Sequence, residues 1–138
     1  MVRRTARIRL TLAVVAALGI TSNVIPGASA VAHAELLIST PAVGATIYTS
    51  PKMVSLTFDD DLIDLQDGNQ IVVTDPKNKR VDIGASVLQG SKLSVQLKKF
   101  TLLGKYEVTY HVISNDGHPV TGQFPFYLKK KPATKPKS

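Results

Sequence analysis

The reading turns on Lys105-Tyr106-Glu107-Val108-Thr109-Tyr110-His111-Val112-Ile113, then Ser114-Asn115-Asp116-Gly117-His118-Pro119-Val120-Thr121-Gly122, then Gln123-Phe124-Pro125-Phe126-Tyr127-Leu128. The first segment alternates apolar and polar residues and the third is a short aromatic run, so the middle segment reads as a loop joining the last two strands of an all-β domain. Tyr106, Val108, Tyr110 and Val112 take the core face, which turns His111 outward as a solvated surface residue rather than a ligand. Asp116 and His118 lie two apart, so in an extended backbone their side chains leave on one side. Gly117 permits a bend between them and Pro119 stiffens the exit. A carboxylate oxygen beside an imidazole nitrogen offers two ligands to a borderline ion such as Cu(II) or Zn(II). Asp-Gly is equally a common turn pair, and this segment alone does not separate the two readings.

On the N-terminal side of these segments, short strand patterns recur between turn signals. His33–Ile38 reads as a first strand, followed by a turn over Ser39–Gly44. In Lys52–Asp59, Val54, Leu56 and Phe58 face one way and Ser55, Thr57 and Asp59 the other. An acidic knot, Asp59-Asp60-Asp61, precedes the strands Gln70–Thr74, Arg80–Ile83 and Lys92–Leu97, and Phe100–Gly104 reads as a connection with a possible turn of helix. Seven or eight short strands without a helical period predict an all-β, Greek-key sandwich or barrel of Ig-like type.

The two ends of the chain have other compositions. Arg3, Arg4, Arg7 and Arg9 precede the apolar run Leu10–Ile20, and small residues follow at Ala28–Ala32. That order predicts a secretory signal peptide over 1–32, too short in its apolar part to span a membrane. Thr5-Ala6 after the Arg pair favours general secretion over a twin-arginine route. The tail 129–138, rich in Lys and Pro, is expected to be disordered. The formal net charge of +7 falls to +3 without the four arginines of the leader and to −2 without the five tail lysines. The domain 33–128 therefore carries no sequence-level nucleic-acid footprint. The mature chain is expected to be exported, periplasmic or extracellular, monomeric and not membrane-spanning. With no cysteine and two methionines, a thiolate or soft Cu(I) site is not expected.

The remaining histidine completes a ligand set. Ala30-Val31-Ala32 satisfies the small-x-small rule, and a cut after Ala32 would make His33 the first residue. Its α-amine and imidazole would then chelate one metal, and with Asp116 and His118 the set is three nitrogens and one oxygen, a tetragonal arrangement suited to Cu(II). Ala28-Ser29-Ala30 satisfies the same rule. A cut there would begin the chain at Val31 and let the amine, two backbone amides and the imidazole of His33 fill the square plane, leaving Asp116 and His118 unused.

The chain resembles the CopC family of exported copper-resistance proteins. The matching residues are His33-Ala34, Ser39-Thr40-Pro41-Ala42 and Gly44, Pro51 with Val54–Phe58, Gly104–Val108, Tyr110–Ser114, Asp116-Gly117-His118-Pro119, Gly122 and Phe126. The resemblance implies a cupredoxin-like β-domain over 33–128 that binds one Cu(II) through His33, Asp116 and His118. It implies copper homeostasis or resistance, as a carrier or buffer and not an enzyme, beside a CopD-like membrane copper importer. Some relatives place a glutamate near the copper where this chain has Asp60, one methylene shorter. Gln70–Leu88 lacks the methionines of Cu(I)-binding members, which implies a Cu(II)-only type. Two other readings are a copper monooxygenase with an N-terminal histidine brace and a metal-free Ig-like adhesion module. The first needs a flat aromatic face, which a domain without tryptophan is poorly equipped to build; the second leaves the two metal-binding halves to coincidence.

Overall fold

A computed structural model describes residues 33–134. Its strands are β1 (Leu36–Thr40), β2 (Thr46–Ile47), β3 (Met53–Phe58), β4 (Gln70–Thr74), β5 (Asp82–Gln89), β6 (Lys92–Leu97), β7 (Gly104–Ile113) and β8 (Pro119–Leu128). They form two four-stranded sheets, β1-β3-β6-β5 and β2-β8-β7-β4, stacked as a sandwich. The all-β expectation holds, with eight strands and no helix among the described residues. Hence no described helix is long and apolar enough to cross a membrane. The predicted leader 1–32 and the last tail residues 135–138 lie outside the described residues.

Alternation does the folding. Val54, Leu56 and Phe58 of β3 meet Tyr106, Val108 and Val112 of β7 in the layer between the sheets, all at most 2% exposed. Phe100 and Phe126 stack on Tyr106, with ring centroids 4.2 and 5.2 Å away. Each such buried side chain contributes about 1.5–3 kcal/mol. With no cysteine in the chain, that burial holds the domain together without a disulfide.

Several boundaries differ from the sequence reading. Strand β1 begins at Leu36, not His33, and the short β2 was not foreseen. Strand β5 runs on to Gln89 rather than ending at Ile83, because its Gly84-Ala85-Ser86 core forms an irregular step in which Ser86 Oγ accepts the Ile71 N–H at 2.8 Å. Small residues there mask the alternation. Phe100–Gly104 makes no helical turn; Phe100 is drawn into the core instead.

The central loop is also shorter than expected. Strands β7 and β8 pair from Gly104↔Leu128 to Ile113↔Pro119, so Pro119–Gly122 belong to β8. Gly122 continues the strand because the ring of Tyr110, its cross-strand partner, lies over the space a Cβ would take. Tyr110 in turn meets Phe58 edge-on at 5.5 Å. Gly122→Ala should displace that ring and lower stability by about 1–2 kcal/mol. Urea unfolding is the check, and an unchanged midpoint would mean the ring moves at no cost.

Candidate metal centre

The turn between β7 and β8 is wound around one buried hydroxyl. Ser114 is 1% exposed, and its Oγ lies against the Asp116 carboxylate and 2.9 Å from the His118 carbonyl oxygen. The backbone closes around it: Ser114 N–H donates to His118 O at 2.9 Å and Gly117 N–H to Ser114 O at 2.8 Å. Gly117 has φ 84°, a conformation that glycine adopts without strain. The His118 N–H donates to Asp116 Oδ1 at 3.1 Å. Thus Oδ1 is committed to the turn, while Oδ2 faces outward.

That second oxygen meets both imidazoles. Asp116 Oδ2 stands 3.0 Å from His118 Nδ1 and 3.8 Å from His33 Nδ1. The two rings meet edge to face, with centroids 5.5 Å apart. One potential ligand atom from each of the three residues lies within 4.8 Å of the other two. Donors about 2 Å from a shared ion stand roughly 3–4 Å apart, so small side-chain rotations close the set. All three residues are exposed at the end of the sandwich.

His33 is brought there by its neighbours. Ala34 is buried at 6% exposure, Glu35 N–H donates to Asp59 Oδ1 at 2.7 Å, and Asp59 N–H returns a bond to Glu35 O at 3.0 Å. This clasp fastens the chain before β1 to the end of β3 and delivers residue 33 beside the turn. From the other flank, Asn69 Oδ1 accepts the Ile113 N–H at 3.0 Å while its Nδ2 donates to Ile63 O at 2.7 Å. Asp59, Asn69 and Ser114 were not singled out as positioning residues in the sequence. Only Ser114 carried a local sign, a hydroxyl opening an Asn-Asp-Gly turn.

Asp60 is not gathered with these three; its Oδ2 lies 3.5 Å from Asn115 Nδ2, at the edge of a hydrogen bond. His111 does face away from the core, but it is half-buried rather than solvated. Its Nδ1 lies 2.8 Å from Gly68 O, and since a carbonyl only accepts, Nδ1 carries the proton. The turn at Gly68 packs over the strand and covers the ring.

The model of the CopC domain matches residues 36–129. The chain belongs to the CopC family. It is 32% identical over 108 residues to copper resistance protein C of Xanthomonas campestris pv. juglandis, covering 74% of this chain and 84% of that one. It is 33% identical over 112 residues to protein YobA of Escherichia coli K12, covering 79% and 87%. The crystal structure of CopC from Methylosinus trichosporium OB3b shares the fold, with a TM-score of 0.64 at 24% identity over 75% of this chain and 100% of that one. CopC membership thus covers β1 to β8 and the turn that bears Asp116 and His118.

The electrostatics of this CopC-family turn are set mainly by Ser114. Its hydroxyl, then the His118 N–H, hold the Asp116 carboxyl down to about 2; burial opposes them and the His118 side chain adds to them. A depressed carboxylate pKa stabilises the fold above the unfolded value, and that contribution is lost as pH falls through about 2. Ser114→Ala should raise the Asp116 midpoint toward the ordinary value of 3.8. Carboxyl-carbon NMR of the metal-free protein reads this directly, and an unmoved midpoint would assign the shift to another group.

Proposed function

We propose that the mature protein is an extracytoplasmic Cu(II) carrier or buffer serving copper homeostasis or resistance. It holds one ion at His33, Asp116 and His118. The observation that carries this reading is the convergence of residue 33 on a turn at 116–118 at the far end of the sequence, with three donor atoms inside 4.8 Å. The donor set is nitrogen and oxygen only, which suits Cu(II) over Cu(I). A leader cut before His33 adds its α-amine to the set.

The site's exposure supports exchange rather than storage. A carrier must give its ion to an acceptor, and ligands at the rim of a sandwich can be reached by one. A CopD-like membrane importer is the acceptor this reading expects. A copper resistance protein among the relatives supports the choice of metal.

Cu(II) titration of the mature protein should show one tight site and a nitrogen-rich tetragonal EPR spectrum. His118→Ala and Asp116→Ala should each weaken binding by at least about tenfold, as expected for loss of a ligand, with the fold unchanged by circular dichroism. His111→Ala should leave affinity unaltered, since Gly68 already occupies its Nδ1. Equal losses from His111→Ala and His118→Ala would sink this ligand set.

A further inference from the structure

The domain's charge nearly cancels in sum, yet the fold sorts it to opposite ends. At the end bearing the β7–β8 turn stand Glu35, the Asp59-Asp60-Asp61 knot, Asp64, Asp67 and Asp116. Strand register places them there: Leu36 pairs with Phe58, Leu62 bridges Ser114, and Gln70 pairs with His111. Among the described residues Lys92, at the start of β6, stands at this end, and Arg80 lines a cleft with Asp64 and Asp67 but is paired with Asp82.

The opposite end is basic. Lys52 precedes β3, Lys98 and Lys99 follow β6, and Lys129, Lys130 and Lys131 follow β8. Backbone bonds hold these segments together, from Leu97 N–H to Lys52 O and from Lys129 N–H to Ile47 O, both 2.9 Å. None of these six lysines is ion-paired among the described residues. The acids at this end are already engaged: Asp82 with Arg80, Glu107 with Lys105, and Asp75 with the N–H groups of Lys77 and Lys79. The sequence adds Lys135 and Lys137.

Apolar side chains stand among those lysines. Tyr48 and Leu103 are 47% and 53% exposed, and they line a groove of about 450 Å³ with Lys99 and Lys129–Lys131. Leu102 is exposed beside them. Unpaired ammonium groups around exposed Tyr and Leu match an anionic bilayer, where lysines meet headgroup phosphates and the apolar tips enter the interface. A dissolved polyanion would engage the lysines and leave Tyr48 and Leu103 without a partner.

We propose that this basic, apolar end docks the protein on an anionic phospholipid surface. The ten-residue strands β7 and β8 then hold the His33, Asp116 and His118 cluster about 30 Å from the lipid, facing water. The acidic end, repelled by the same surface, fixes that polarity. Docking itself does not depend on copper. Combined with the copper reading, it makes the docked state one that loads from solution, and delivery into the membrane requires the domain to tip or leave.

Cosedimentation of the mature protein with vesicles tests the docking. It should pellet with vesicles containing phosphatidylglycerol at low salt, remain soluble with pure phosphatidylcholine, and be released by high salt. Replacing Lys129, Lys130 and Lys131 by Gln together should weaken vesicle binding roughly a hundredfold, at about fivefold per lysine. Leu103→Ser should weaken it about fivefold while leaving association with inorganic polyphosphate unchanged. Circular dichroism confirms that each variant is folded. Failure to pellet with phosphatidylglycerol, or equal pelleting with phosphatidylcholine, would overturn the proposal. Polyphosphate binding as tight as vesicle binding, with Leu103→Ser silent on both, would replace it with a general polyanion site.

Discussion

The ladder between β7 and β8 is the constraint on which the rest depends. Its paired register, unbroken from Gly104↔Leu128 to Ile113↔Pro119, fixes what lies at each end. At one end it closes on the turn carrying Asp116 and His118. At the other it releases Lys129 and the tail beside β2. A one-residue slip would turn Tyr106, Val108, Val112, Phe124 and Phe126 out of the core, so burial of those side chains enforces the register. The precision of the turn is thus underwritten by packing well away from it.

Within that frame the cluster is assembled mostly by backbone. The two carboxylate oxygens of Asp116 have separate tasks: Oδ1 is held by the turn, and Oδ2 is left for the imidazoles. His33 arrives through the reciprocal bonds of Glu35 and Asp59. Since the imidazoles themselves make no other hydrogen bond among the described residues, they can rotate to meet an ion without breaking the fold. A carboxylate fixed by the turn between two imidazoles free to turn suits the exchange of an ion proposed for this site.

Much of this was legible in the sequence because alternation was clean where sheets are buried on one face. Gln70–Thr74 and Lys92–Leu97 were read with the bounds they have, and the facing of β3 followed from Val54, Leu56 and Phe58. Strand β5 was cut short because Gly84, Ala85 and Ser86 hide the period, and β2 is too short to have one. The meeting of His33 with Asp116 and His118 could be anticipated from loops gathering at the ends of a sandwich and from the family resemblance. The parts played by Asp59 and Asn69 could not, since each acts through a backbone group remote in sequence. Nor could the contact of His111 with the backbone carbonyl of Gly68, which no side-chain pattern announces. The sorted charge was hidden for a related reason: composition reports a sum, and only register assigns each residue to an end.

In the proposed centre a free amine at His33 joins a distant turn in holding one Cu(II). The most direct measurement compares the mature protein with a variant carrying one extra residue ahead of His33, which moves the amine off the chelate and leaves every side chain in place. Affinity and EPR are recorded for both. The expected result is weaker Cu(II) binding with an altered spectrum in the extended protein. Full affinity with an identical spectrum would show that the amine is not a ligand.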